Sequence, residues 1–419
     1  MNNKAVAVNI KDYIIDLYKT IFFIITSKKF KIEIFLVSSF IFFFVKYILQ
    51  YASEPGFISP QALLEAKFYT AVMHWGITGT INLTIRRKIF HNKAVNVFII
   101  GITLFMFWQI FALMLNLTAI GARTNADREY LSILAFYCNL FFTARIMKAY
   151  HLEEHVIKHI VITHGTAILM MYITYFDGFA FLSSLANVLG NAGRYRFAFG
   201  MGHFNTAGGN AFHFLMAFAV YRELVLEAGH NKWNLTYLYS KILCIVVIIV
   251  LLSTGSRAAI TGIIGFWITY FTLKYYNGIH VNARVLMIYS MIIAVVLLII
   301  YVDWEQVYEL SNRAVNYTSP LLARMTLYDW FVGLGPFGFF DSFYLTTIVS
   351  TGIIGGIFIF TAVFYLTFAY FKNVAHMTKV QMLVGSMIIA SMYRALFETF
   401  LAGQGAGSFT VWSFALAYI

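Results

Sequence analysis

Residues 242–266 read Ile242-Leu-Cys-Ile-Val-Val-Ile-Ile-Val-Leu-Leu252-Ser-Thr-Gly-Ser-Arg257-Ala-Ala-Ile-Thr-Gly-Ile-Ile-Gly-Phe266. An unbroken apolar run stops at a corner of about four residues, and a second apolar run starts at once. Extended to 237–254 and 258–275, the two runs approach the roughly 20 residues that a helix needs to cross a bilayer. The corner is too short for anything but two antiparallel spans. A positive charge this close to hydrocarbon is costly unless it faces a cavity or a partner. Arg257 is therefore a candidate site residue, the plainer alternative being a side chain that snorkels to headgroup phosphates.

The rest of the chain has the same character. Of 419 residues 60% are hydrophobic and 11% charged, against about 25% charged in soluble domains. The expected spans are 32–51, 67–85, 94–116, 129–147, 159–176, 207–226, 237–254, 258–275, 285–302, 344–371 and 380–402, with 407–419 as a short last one. The fold class expected is all-α, a polytopic helical membrane protein of about 11–12 transmembrane helices. Residues 1–30 read as a cytoplasmic interfacial segment, since Asp16 and Lys19 oppose a full span, and 31–419 as a single transmembrane domain.

Lys28, Lys29 and Lys31 put the first loop inside. Alternation then places Arg86, Arg87, Lys88, Arg145, Lys148, Arg222, Lys274, Lys372 and Lys379 inside as well, as the excess of basic residues in cytoplasmic loops requires. The net charge of +12 follows from that bias, so nucleic acid need not be invoked as a partner. Cys138 and Cys244 both fall inside apolar runs and suggest neither a disulfide framework nor a metal pair. Gly352 and Gly356 form a G-x-x-x-G, which points to a close helix contact.

The outward segments are then 52–66, 117–128, 177–206, the corner 253–257, and 303–343; of these, 177–206 and 303–343 are the large extracytoplasmic loops. Positive residues in or beside them, with Lys46, Lys67 and intramembrane Arg394, comprise eight Arg and two Lys, whereas the remaining twenty are fifteen Lys and five Arg. Guanidinium offers a planar fork for phosphate oxygens and keeps its proton. That selective use points to an anionic ligand.

Four constellations follow. The stretch Arg194-Tyr-Arg196-Phe-Ala-Phe-Gly-Met-Gly-His203-Phe-Asn205-Thr-Ala-Gly208-Gly209 offers two arginines for phosphate oxygens and glycines that let backbone N–H groups approach an anion. It also offers His203 to take a proton and Asn205 to orient a hydroxyl or cap the next helix, whose N-terminus favours negative charge. Arg257 marks the second. The loop 303–343 contributes Arg313 and Arg324, and Asp341 at the mouth of the tenth span has the partial desolvation that suits a general base. Its Gly333, Gly335 and Gly338 match G-x-G-x-x-G by letter, but no strand precedes and a proline interrupts, so a dinucleotide is excluded. Arg394 and Glu398, one helical turn apart, read as an internal salt bridge or a polar cavity wall. His151-Leu-Glu-Glu154-His155 imitates a metallopeptidase pattern but lies on a cytoplasmic turn without a third ligand.

In this order the pieces resemble the Wzy-type polymerases of O-antigen and capsular or exopolysaccharide repeat units, within the O-antigen ligase and polymerase superfamily. The matching residues are Arg196-x-x-Phe199-Gly200-x-Gly202-His203-x-Asn205-Thr206, Thr254-Gly-Ser-Arg257, and Gly335-x-x-Gly338-x-x-Asp341-x-x-Tyr344. The likeness covers about 190–350. The chain departs from the family's pattern at Phe204, often Pro there, and at Ser342, often Asn.

The resemblance implies a GT-C-like enzyme at the extracytoplasmic face of the bacterial plasma membrane. It would be a metal-independent inverting glycosyltransferase that joins undecaprenyl-pyrophosphate-linked repeat units, without a cofactor. Its partners would be the lipid-linked donor and acceptor, membrane lipids and a chain-length regulator. Arg194, Arg196, Arg257, Arg313 and Arg324 would hold pyrophosphate, His203 or Asp341 would be the base, and Asn205 and Tyr344 would shape the sugar site. An O-antigen ligase that transfers glycan to lipid A-core is the alternative within the superfamily, although residues 303–343 lack the histidine typical there. A lipid-linked oligosaccharide transporter is the alternative from another class; inverted repeats and broken midplane helices, its usual marks, are not evident.

Overall fold

A computed structural model describes residues 27–49, 56, 58–85, 92–120, 126–178, 198–199, 204–229, 234–276, 323, 325–334, 342–396 and 406–419. These residues form helices and no strand. In chain order they are α1 (Lys28–Phe44, continued by a π-helical turn Val45–Leu49), α2 (Pro60–Thr84), α3 (Lys93–Ile120), α4 (Ala126–Tyr150), α5 (Glu153–Thr174) and α6 (Phe204–Glu227). Then come α7 (Leu235–Thr254), α8 (Arg257–Tyr276), the short α9 (Leu327–Val332), α10 (Phe343–Tyr370), α11 (Lys379–Arg394) and α12 (Ala406–Tyr418). Among the described residues five segments, Lys28–Leu49, Lys93–Ala112, Glu153–Thr174, Leu235–Thr254 and Phe343–Tyr370, are long and apolar enough to cross a membrane. The expected span 285–302 and most of the segment 1–30 lie outside the described residues.

Local chemistry sets the ends. Ser27 and Ser59 accept from the backbone N–H groups of Phe30 and Ala62, and Pro60 occupies the first position of α2, where its missing N–H costs nothing. Thr378 and Gln381 close a reciprocal capping box on α11, satisfying two otherwise unpartnered donors. The corner after α7 turns on Gly255, at φ 56°, a left-handed conformation that glycine adopts without a Cβ penalty. His151, at φ 57°, makes the turn before α5, so the His151–His155 pattern straddles a helix start instead of lining one helical face.

Apolar side chains cover both sides of several helices. On α7, Leu243, Val247 and Val250 are buried while Ile242, Ile245 and Ile248 are exposed; the inner face packs on α5 and α6. Such an exposed apolar belt is a liability in water and a match for lipid tails. The chain is a helical protein built to sit in a membrane.

Helix ends gather at two poles. At one, Lys28 lies over the Tyr150 ring at 5.9 Å, and Arg145 donates to the Ile85 carbonyl at 3.2 Å. There too Asn92 donates to the Ile419 carbonyl at 3.1 Å, Gln381 to the Tyr418 carbonyl at 3.3 Å, and Lys379 pairs with Glu223 at 3.3 Å. The opposite pole holds the ends of α7 and α11 and the starts of α6, α8, α10 and α12.

This scaffold refines two expectations. The segment 407–419, expected as a short final span, is buried at every residue from 407 to 417 and packs on α4, α6 and α11. A helix apolar all round belongs in the interior, and α12 is the centre of the bundle. In the G-x-x-x-G of α10 the close helix contact is made by Gly352 and not by Gly356. Gly352 is a kink at φ 66° whose absent Cβ makes room for the backbone of Phe331 and Val332 in α9. The close approach of α10 to α3 runs instead through Gly101, where a Cβ would stand 2.8 Å from that of Ala362, and through Trp108, which donates to the Thr351 carbonyl at 2.7 Å.

Candidate active site

The opposite pole is built around Arg394, the last residue of α11, which is 3% exposed. Its Nη1 donates to the Gly209 carbonyl at 3.3 Å and to Nε2 of His213 at 3.0 Å, and its guanidinium carbon lies 5.1 Å from the Phe212 ring centre. Arginine has no acceptor, so His213 takes this bond on an unprotonated Nε2. The imidazole is neutral there, with its proton on Nδ1. The guanidinium's place over Phe212 adds the attraction of a cation for an aromatic face.

Two glycines of the first outward stretch make this approach possible. A Cβ on Gly209 would overlap the Arg394 guanidinium, and one on Gly208 would overlap Ser256 and come 3.1 Å from the Thr254 hydroxyl. Both glycines lie within helix α6. They admit a guanidinium and a neighbouring corner, which corrects the expectation that these two positions serve to let backbone N–H groups reach an anion.

The same joint reaches the third constellation. The Phe343 N–H donates to the Ala395 carbonyl at 2.9 Å, and the Tyr344 hydroxyl donates to the Met392 carbonyl at 3.3 Å. Tyr393 donates to the Thr261 hydroxyl on α8 at 3.3 Å. A continuous chain of contacts therefore runs from the start of α10, through the end of α11, to the start of α6 and the α7–α8 corner. Residues nearly two hundred positions apart meet within hydrogen-bond distance.

Three helix N-termini, those of α6, α8 and α10, open at this joint, and helix N-termini carry unsatisfied N–H groups and partial positive charge. Arg257 is the first residue of α8, and Asn205 is the second of α6. Tyr344 sits in the first turn of α10, half-buried. Phe199, in the motif ahead of α6, is buried at φ 48° with its ring 5.9 Å from that of Tyr172 on α5. Arg194, Arg196, His203, Arg313, Arg324, Asp341 and Glu398 lie outside the described residues.

Regular α11 ends at Arg394, followed by a turn at Ala395 and Leu396; the expected Arg394–Glu398 pair falls partly outside the described residues, which stop before Glu398. Sequence reading also passed over His213. The available signal was its place one turn after Gly209 inside an apolar span, where an ionisable group is a site candidate by default.

The described residues contain no group of three or more His, Cys, Asp or Glu side chains able to hold a metal ion. No family model matches the chain, and neither the curated proteins nor the solved structures hold a significant match to it.

Proposed function

We propose that the protein is a multi-pass membrane glycosyltransferase of 11–12 spans with a GT-C-like arrangement. It joins undecaprenyl-pyrophosphate-linked repeat units at the extracytoplasmic face of the plasma membrane. The supporting observation is the Arg394 joint, where three separate segments that resemble polymerase motifs converge beside helix N-termini. A pyrophosphate is multiply charged and leaves with its negative charge increased, so catalysis calls for fixed positive groups around it.

In this reading Arg194, Arg196 and Arg257 hold the donor pyrophosphate, with Arg313 and Arg324 as further clamps. An acceptor hydroxyl oxygen bonds to the donor's anomeric carbon from the side opposite the pyrophosphate. The carbon–oxygen bond to pyrophosphate breaks, and the lipid pyrophosphate departs as the anion. The hydroxyl proton passes to His203 or Asp341. Arg394 is a positioning residue: it fixes the start of α6, and with it Asn205, against α8 and α10.

Purified protein given lipid-linked repeat units would extend chains under this proposal. Arg257→Lys and Arg196→Lys would stop extension while the protein still inserts, because lysine supplies charge without the bidentate fork. Normal glycan ladders from both variants would remove the clamp.

A further inference from the structure

The short helix α9 belongs to the segment 303–343, expected as an outward loop, yet it is joined to α10 inside a membrane span. The joint is made by backbone. Gly333, at φ 90°, leaves to Ser350 and Gly352 the space that a Cβ would take, and Gly352, at φ 66°, leaves the same space to Phe331 and Val332. The Leu334 N–H donates to the Val349 carbonyl at 2.7 Å. A break in a membrane helix frees backbone groups that lipid cannot satisfy. Leu334 supplies one partner there, and Trp108, on the Thr351 carbonyl at 2.7 Å, supplies another.

The depth of the joint follows from the length of α10. Its 28 residues span about 42 Å at 1.5 Å each, whereas the hydrocarbon core is about 30 Å thick. Gly352 stands nine residues after Phe343 and eighteen before Tyr370, about 13 Å from one end and 27 Å from the other. With the core placed against the Tyr370 end, Gly352 lies about 3 Å inside hydrocarbon; against the Phe343 end, it lies about 13 Å inside. Every placement of the core within α10 therefore puts the joint below the membrane surface, on the side of the Arg394 pole.

The free face of α9 matches that depth. Leu327, Tyr328 and Phe331, whose spacings of three and four place them on one face, are 80%, 49% and 52% exposed, while Val332 is buried. Asp329, about half a turn round from Leu327, closes a capping box with Thr326. The apolar face continues the lipid-facing belt of α10, where Ile353, next to Gly352, and Ile357 are exposed. Tyrosine and tryptophan, both present in α9 as Tyr328 and Trp330, collect where headgroups meet hydrocarbon.

We infer that α9 is an interfacial helix, seated at the hydrocarbon boundary of the leaflet on the Arg394 side, with lipid as the partner of Leu327, Tyr328 and Phe331. The segment 303–343 thus enters the membrane partway along instead of standing clear of it. This inference rests on the fold alone and is independent of the reaction at the Arg394 pole.

Nitroxide labels on single cysteines test it in the full chain, reconstituted in phosphatidylcholine vesicles with Cys138→Ala and Cys244→Ala as background. For labels at Leu327→Cys, Tyr328→Cys and Phe331→Cys, collisions with oxygen, which concentrates in hydrocarbon, are compared with collisions with a water-soluble nickel chelate. The oxygen-to-nickel ratio should be several times that at Lys29→Cys, whose side chain is 87% exposed, and should approach that at Ile357→Cys. A ratio equal to the Lys29→Cys value at all three positions would put α9 in water and overturn the inference. Low collision rates with both reagents would mean that protein covers the face, and would overturn it equally. The wild-type chain gives a check free of substitutions: an apolar diazirine dissolved in the vesicles should label Leu327, Tyr328 and Phe331 on illumination. Labelling of Ile357 without any on these three would again overturn the assignment.

Discussion

Among the described residues, the buried polar clusters around His74 and around Arg394 are built differently. Around His74 the groups are neutral and lie on uninterrupted helical turns. Its Nδ1 is 3.0 Å from the Ser38 hydroxyl and its Nε2 3.3 Å from that of Thr143. Asn139 donates to the Ala71 carbonyl at 2.8 Å, and Asn82 to the Phe142 carbonyl at 3.2 Å. Each bond ties α1 to α2 or α2 to α4. Around Arg394 the central group is a full charge placed where α11 stops, and two glycines of α6 give way to admit it and the neighbouring corner. The first cluster fastens helices. The second fastens the ends of helices.

The sharpest way to break that distinction is Arg394→Lys. Losing the fork should cut chain extension at least about 100-fold, the size that a misplacement of about 1 Å in the reacting groups can cost, with protein in the membrane close to wild-type amount. Arg394→Ala goes further, because breaking a buried charged contact costs about 3–5 kcal/mol, and should lower yield as well. Full-length glycan ladders from Arg394→Lys would place this arginine with the His74 group.

Next in size is Gly209→Ala. The new methyl group would enter the guanidinium's place, at about 1–3 kcal/mol of overpacking, and chain extension should fall at least about tenfold. Gly76, on α2 near the other cluster, faces open space; alanine there should raise stability by about 0.5–1 kcal/mol and leave activity unchanged. His74→Ala should cost about 1–3 kcal/mol by orphaning its buried partners, read as a lower unfolding temperature, with activity per folded molecule preserved. Loss of activity in folded His74→Ala would erase the contrast between the clusters.

How much of this was legible depends on the range of the physics involved. Expected spans such as 258–275 and 344–371 fall within a residue or two of α8 and α10, because apolar length is a local, compositional signal. The turn at Gly255 was legible for the same reason: a corner of about four residues between two spans needs a backbone that only glycine adopts freely. The role of Gly208 and Gly209 was not, since what fills their empty sides comes from Ser256 and Arg394, segments folded against α6 from far along the chain. The stop at Arg394 was hidden too, as neither glycine nor proline stands between Gly385 and Gly403. At 13 residues, α12 looked like an afterthought by length, and only packing reveals it as the centre.

The smallest effect belongs to the opposite pole, and it tests whether charge there matters for chemistry at all. Lys379, exposed, and Glu223, mostly covered, form a pair worth about 1 kcal/mol or less. Glu227 lies close by at the end of α6, its carboxyl held above the usual range by burial and by Glu223, with Lys379 acting in the opposite direction. A carboxyl whose pKa is raised by folding adds stability while protonated and loses it as pH rises through the folded-state value. Lys379→Gln removes the opposing charge, so the unfolding temperature should drop more near pH 8 than near pH 4, with chain extension unaffected. An equal or larger drop near pH 4 would contradict the linkage, whereas lost chain extension would mean that function is not confined to the Arg394 pole.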